Sequence, residues 1–338
     1  MMNAHFLIVN ELAALIAAPL ALLATFVSAE KYRGRILIFG QAAAFVFAIF
    51  GSALALSQTI VSPVTVDVMR VTLRFEPVSS CLLTGITFIA AVVVAFSDRY
   101  LLGDKTRLNF LRYLSFLSCT SGLLAVTDSM LMAFVCWTAL SFGLYRVMRL
   151  QDDSRVASQT VLRYHLLSDV ALLLAFILIV GSSGVFAFSD LSIAAQFLSH
   201  GQGSYIGTAA SLLLVLSFCV KAALFPFHKW LLATLDAPTP LSGLLHAGVV
   251  NVSAIMAWRL MPVLHEHSNV LIIWALWSAL SAIVGTMSMS AQPDVKRKLV
   301  FSTTGQMGFM SLQCAIGMPG AAIFHLLAHA SSAFSIAL

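Results

Sequence analysis

Lys221 and Pro226 stand five residues apart inside a long apolar run, SFCVKAALFPFHKWLLATLDAPTPLSGLLHA. An ammonium group at membrane depth costs several kcal/mol unless it faces protein or water, so such residues mark ion pathways or paired structural sites. Lysine there can lose and regain a proton; a lysine that snorkels to the interface or pairs structurally is the competing reading. Pro226 removes a backbone donor and frees a carbonyl, and membrane helices tolerate such breaks where they line a cavity or a site. His246 follows in the next apolar block and titrates near neutral pH. His165 and Asp169 are spaced i, i+4 and share a helical face, which suits either a proton-passing pair or a local ion pair. His325 and His329 repeat that spacing in HLLAH. They lack the glutamate of the zinc motif and a third ligand, so a membrane-embedded proton path is expected and no metal.

These groups need a membrane scaffold. The 338 residues are 60% hydrophobic and 10% charged, with a mean hydropathy of +0.95. Soluble domains carry about 25% charged residues. The composition dictates an integral membrane protein, all α, with length to be read as spans. Eleven apolar blocks are marked: 11–29, 36–57, 77–97, 109–126, 129–148, 161–181, 205–230, 240–262, 269–290, 299–317 and 319–338. Each is about the length that crosses the hydrocarbon core. The seventh is broken near Pro226. The linker 58–76 alternates (VTVDVM, VTLRF) and predicts a small hairpin at one membrane face. The linker 182–204 has room for an interfacial helix. Asp128 is positioned to cap the fifth helix.

Basic residues give the orientation. The odd-numbered connections hold Lys31, Arg33 and Arg35, then Arg99, Lys105, Arg107 and Arg112, then Arg146, Arg149, Arg155 and Arg163, then Lys229, then Lys296, Arg297 and Lys298. The even ones hold Arg70, Arg74 and Arg259. The positive-inside rule places the odd connections in the cytoplasm and the N-terminus outward, in the cell inner membrane. The net charge of +5 thus has a topological origin, and no nucleic-acid partner is expected. The five cysteines lie inside apolar blocks without CxxC spacing and are expected free. There is no glycine-rich nucleotide motif, no Ser-His-Asp arrangement and no cofactor signature. The chain is expected to be a transporter subunit rather than an enzyme.

KAALFPFHKWLLATLDAPTPLSGLLHAGVVN resembles the signature of the proton-translocating, antiporter-like subunits of respiratory complex I and the Mrp antiporters. DVKRKLVFSTTGQMGFM and AAIFHLLAHA extend the likeness. The resemblance implies an antiporter-like bundle whose seventh helix breaks beside a central lysine, with protonatable neighbours forming a path. Lys221, His246, Asp169, His165, His325 and His329 would make up that path, and Pro226 would be the break. Two departures stand out. The family carries a glutamate after the fifth-helix tryptophan, where this chain has Thr138 after Trp137. A lysine is expected where Ala333 falls. The chain thus reads as a single membrane domain over 1–338 that lacks the family's last helices. WTALSFGLYRVMRL and DAPTPLSGLLHAGVVN resemble the DabB branch, membrane subunits of inorganic carbon accumulation complexes. That branch implies proton or sodium flow coupled to a zinc-containing DabA-like partner that hydrates CO2 to bicarbonate. A respiratory, hydrogenase or Mrp-type antiporter subunit is the alternative.

Overall fold

The computed structural model describes residues 2–57, 64–68, 71–150, 154–245 and 250–337. Helices α1 (Met2–Val27) and α2 (Glu30–Ser57) form an antiparallel pair. Strands β1 (Val64–Val68) and β2 (Val71–Phe75) follow, then α3 (Pro77–Tyr100), α4 (Arg107–Val126), α5 (Met130–Met148) and α6 (Arg155–Ser183). A short α7 (Leu191–Ser199) precedes α8 (Gln202–Lys221), α9 (Lys229–Ala233) and α10 (Thr239–Leu244). The chain continues through α11 (Val252–His265), α12 (Ser268–Ser290), α13 (Val295–Ala315) and α14 (Pro319–Ala337). It is a helical bundle, as the composition requires.

The expected hairpin is present. β1 and β2 pair antiparallel with Val64 opposite Phe75 and Val66 opposite Leu73. Alternation puts successive residues on opposite faces, and Leu73 and Phe75 are buried against Leu7 of α1 and Val126 of α4. The hairpin thereby seals one end of the bundle. The linker 182–204 does contain a helix, α7. Its buried Leu191, Ala194, Ala195 and Leu198 follow the i, i+3, i+4, i+7 stripe of an amphipathic helix. Asp128 does not cap α5. Ser129 does, accepting from the Met132 amide, while buried Asp128 accepts from the Ser189 amide (3.0 Å) and hydroxyl (2.7 Å) and ties α5's entrance to the approach to α7. A cap must lie one residue before the first helical turn with its side chain turned inward, and Ser129 holds that place.

Seven helices among the described residues are long and apolar enough to cross a membrane unaided: α1 from Phe6, α2, α3, α5, α6, α8 and α12. The count of eleven rests on the remaining blocks, and these are more polar or interrupted. α4 and α13 carry buried Ser and Thr hydroxyls, among them Ser115, Ser118, Ser121, Thr303 and Thr304, facing neighbouring helices rather than lipid. The eighth block divides into α10 and α11.

Small residues set the closest helix approach. A side chain at Gly308 of α13 would put its Cβ 2.5 Å from the Ala282 amide nitrogen of α12. One at Gly285 of α12 would fall 2.4 Å from the Gly305 nitrogen. Such backbone contact, driven by dispersion, is the usual glue between helices in lipid. Arg259 of α11 is buried and donates to the Ala125 and Thr127 carbonyls at the end of α4. It neutralises a helix C-terminus that would otherwise lack partners. Overpacking costs typically about 1–3 kcal/mol. Gly308→Val is therefore expected to lower the thermal unfolding midpoint of the detergent-solubilised protein. Gly181→Ala, where a Cβ meets nothing within 4 Å, should leave it unchanged.

Candidate functional site

α8 ends at Lys221, and the chain then leaves the helical path. Ala223 adopts φ +55° and the Phe225–Pro226 bond is cis. The backbone groups released by the break find partners. The Leu224 amide donates to the Cys219 carbonyl (2.9 Å), and the Phe225 amide donates to Ser281 Oγ of α12 (3.1 Å). Trp277 Nε1 of α12 donates to the Phe225 carbonyl (2.6 Å), and Trp230 Nε1 to that of Val220 (2.8 Å). The break is thus a built feature braced by α12, which a hydrocarbon environment demands.

Lys221 is fully buried. Its Nζ has three donors to place, and three acceptors meet them. The Trp137 carbonyl lies at 3.0 Å, Ser141 Oγ at 2.6 Å and Asp169 Oδ1 at 3.3 Å. Ser141 also donates to Asp169 Oδ1 (2.9 Å), bridging the pair. The ammonium lies 4.7 Å from the centre of the Trp137 ring, within cation–π range. Asp169 sits at the midpoint of α6, fourteen residues from either end (155 to 169 and 169 to 183). The ion pair therefore stands at the centre of a spanning helix.

A second layer fixes this arrangement. Trp137 Nε1 donates to Ser168 Oγ (3.3 Å). Ser168 and Ser217 lock α6 to α8, with Ser217 Oγ donating to the Ser168 carbonyl (2.8 Å) and Ser168 Oγ to the Ser217 carbonyl (3.0 Å). The two serines immediately precede Asp169 or lie one turn before Lys221, so this contact sets the register that brings the charges together.

The sequence-selected residues fall into three groups. Lys221 and Asp169 meet. His165 does not pair with Asp169 as their spacing allowed. Its ring is fully buried, packs edge-on against Trp230 at 4.5 Å, and its nitrogens have no hydrogen-bond partner among the described residues. Asp169 is drawn instead across to Lys221, where opposite charges attract most strongly in a low dielectric. His325 and His329 lie on α14. His325 is held between two α13 glutamines, with Nδ1 3.2 Å from Gln313 Oε1 and Nε2 2.7 Å from Gln306 Oε1. Either amide can present donor or acceptor, so this clamp suits any protonation state of the ring. His246 lies outside the described residues. Among the described residues no three His, Cys, Asp or Glu side chains converge as metal ligands.

Thr138 is half-buried and its hydroxyl turns back to the Phe134 and Val135 carbonyls of its own helix (3.1 and 3.0 Å). It contributes nothing to Lys221. Ser141, Ser168, Ser217, Gln306 and Gln313 were not singled out from the sequence. Serines are common in membrane helices, but Ser141 stands four residues after Trp137, on the same helical face, and that was the available signal.

The fold and this site define an antiporter-like membrane subunit with a lysine–carboxylate pair buried at a broken helix. The comparisons agree with that class. The family described as "NADH:quinone oxidoreductase/Mrp antiporter, TM" matches residues 127–338, and the chain belongs to it. A "Probable inorganic carbon transporter subunit DabB" of Bacillus subtilis (strain 168) is 35% identical over 74% of this chain and 50% of its own length. A "Probable inorganic carbon transporter subunit DabB1" of Halothiobacillus neapolitanus (strain ATCC 23641 / c2) is 32% identical, over 76% and 47%. The "NAD(P)H-quinone oxidoreductase subunit 5, chloroplastic" of Chaetosphaeridium globosum is 30% identical, over 76% and 39%. The chain spans about half the length of the curated DabB relatives it matches. Among solved structures, the Mrp complex from Dietzia sp. DQ12-45-1b has a chain with the same fold, with a TM-score of 0.78 at 23% identity, over 98% of this chain and 37% of that one. A chain of the membrane-bound sulfane sulfur reductase, an archaeal respiratory membrane complex, gives 0.81 at 17%, over 99% and 69%.

Removing one partner of a buried ion pair costs about 3–5 kcal/mol, whereas replacing both with apolar groups of similar volume is often neutral. Asp169→Asn is expected to destabilise the protein strongly. Lys221→Met combined with Asp169→Leu should destabilise it less than either single substitution. Denaturant unfolding in detergent, read as a double-mutant cycle, measures this.

Proposed function

We propose that this chain is the cation-conducting membrane subunit of an energy-coupled inorganic carbon uptake complex, and that the cation is a proton. The observation that carries the conduction reading is the Lys221–Asp169 pair, buried mid-bundle at a braced helix break. A proton on that pair can reside on the amine or on the carboxyl, and Ser141 bonds both. Arrival of a second proton or departure of the first changes the pair's net charge, which a low-dielectric interior resists unless a neighbour compensates. The pair is therefore suited to pass protons one at a time. The same chemistry favours protons over sodium. An ammonium at the centre of a site repels a metal cation, and a neutral amine takes a proton far more readily than it coordinates sodium.

In this reading the clamped His325 and its neighbour His329 carry the proton onward along α14, and His246 is a further relay. His165 beside Trp230 stabilises neither charge by a hydrogen bond and acts as an electrostatic neighbour of Lys221. Protons enter from outside and leave toward the cytoplasm. The membrane is the cell inner membrane, with the N-terminus outward and the arginine-rich ends of α2, α4 and α6 in the cytoplasm. The carbon-uptake assignment is supported by the DabB names of relatives at 30–35% identity. The catalytic partner would be a zinc-containing, DabA-like subunit that hydrates CO2 to bicarbonate, with proton flow making hydration one-way. A membrane subunit of a respiratory complex or Mrp-type antiporter is the second reading, supported by the quinone oxidoreductase relatives.

Two assays separate these readings. Expressed with a DabA-like gene, the chain is expected to co-purify with its product and to restore growth at low CO2 to a strain lacking inorganic carbon uptake. Lys221→Ala should keep the complex but lose the growth. Failure of wild type in both assays would sink the carbon assignment, and growth unaffected by Lys221→Ala would sink the carrier role.

A further inference from the structure

Another buried carboxyl lies far from the ion pair in sequence and outside the segment that the family match covers. Glu11 lies nine residues into α1, about 14 Å along the helix at 1.5 Å per residue. It is fully buried, and neither of its oxygens has a hydrogen-bond partner among the described residues. The sequence alone placed it at the edge of the first apolar block. The structure extends α1 a further two turns and draws Glu11 inside.

Its surroundings are specific. On α2, Gly51 supplies the space the carboxyl occupies, since a Cβ there would stand 2.6 Å from Glu11 Oε1. On α3, the Ser80 hydroxyl is a hydrogen-bonding neighbour of the carboxyl, buried and with no bond of full geometry among the described residues. Ser52 and Thr84 extend the polar strip, 2.5 Å apart, with Ser52 donating to the Ser80 carbonyl (2.9 Å). Among the described residues, the Cys81 thiol of α3 lies near enough to feel the charge of Glu11. α4 and the hairpin present Leu123, Val126, Val66, Leu73 and Phe75 to this cluster. No lysine, arginine or histidine among the described residues bonds the carboxyl.

A carboxylate in such a place, with no bonded cation and a single hydroxyl beside it, is costly. A neutral carboxylic acid is not. It has one O–H to donate and an oxygen to accept, and the Ser80 hydroxyl opposite can meet either need. We propose that Glu11 is a second protonation site of this chain, holding its proton as a carboxylic acid against Ser80 under the β-hairpin. The ligand is the proton itself. The site is independent of the Lys221–Asp169 pair and of the carbon-uptake reading.

Carbodiimide labelling tests this on the full-length chain in membranes. The protonated acid gives its hydrogen to one carbodiimide nitrogen while its oxygen adds to the central carbon. The acyl group then migrates from oxygen to nitrogen, and nothing leaves. Dicyclohexylcarbodiimide is apolar and reaches intramembrane acids. Peptide mass spectrometry is expected to find the adduct on Glu11, with yield falling as pH rises. Labelling should persist in Asp169→Asn and Lys221→Met and vanish in Glu11→Gln, which keeps the side-chain volume. Sodium should not protect. An unlabelled Glu11 in a sample where another buried carboxyl is labelled would overturn the proposal. So would protection by sodium at constant pH, which would make the site a metal-cation site.

Discussion

An ammonium ion held at the centre of an apolar bundle is the constraint on which the rest of this molecule depends. Lys221 can be there only because three acceptors converge on it and one is a carboxylate. Those acceptors come from α5 and α6, so three helices must meet in one register. The Ser168–Ser217 contact sets that register between α6 and α8. The break after Lys221 must in turn be compensated, and α12 supplies Ser281 and Trp277 for it. α12 is itself locked to α13 through glycine contacts that leave almost no gap. The chain of dependence thus runs from one charge through five helices. It ends near Gln306 and Gln313, which clamp His325.

The separation of charge from polarity in this fold follows bilayer physics. Charged groups concentrate at the helix ends, where Arg107 pairs with Asp98 (2.6 Å) and Arg112 reaches the Thr25 carbonyl (3.0 Å). Hydroxyls fill the interior contacts. Full charges in the interior are few, and each has a visible reason. Lys221 and Asp169 neutralise one another, and Arg259 answers the carbonyls at the end of α4. Asp128 accepts from Ser189, and Glu11 has no hydrogen-bonded cation among the described residues, the setting for the protonation proposed above.

Much of the scaffold was legible in the sequence because hydrophobic blocks and loop charges are direct records of the bilayer. The pairing of β1 with β2, a helix in the linker 182–204 and the break beside Lys221 were all readable from alternation, spacing and proline. The partner of Lys221 was only half readable. Asp169 stood out as an intramembrane acid, but its helical neighbour His165 competed for it. Sequence spacing reports neighbours on one helix, while the decisive attraction lies between helices. Thr138 drew attention because a familiar carboxylate was missing there, and the carboxylate that pairs with Lys221 is Asp169 of α6 instead. Ser141 and the α13 glutamines went unremarked because a lone polar residue in an apolar helix carries no signal of what it faces. Glu11 was misplaced for a related reason: helix ends are the least determined feature of an apolar block.

We propose that Asp169, and not any group at the Thr138 position, is the carboxylate through which Lys221 exchanges its proton. The direct measurement is proton uptake into proteoliposomes under an imposed potential, followed with an internal pH dye. Asp169→Asn is predicted to reduce uptake to that of empty liposomes, while Thr138→Ala leaves it at the wild-type rate. Undiminished uptake in Asp169→Asn, or its loss in Thr138→Ala alone, would contradict the account.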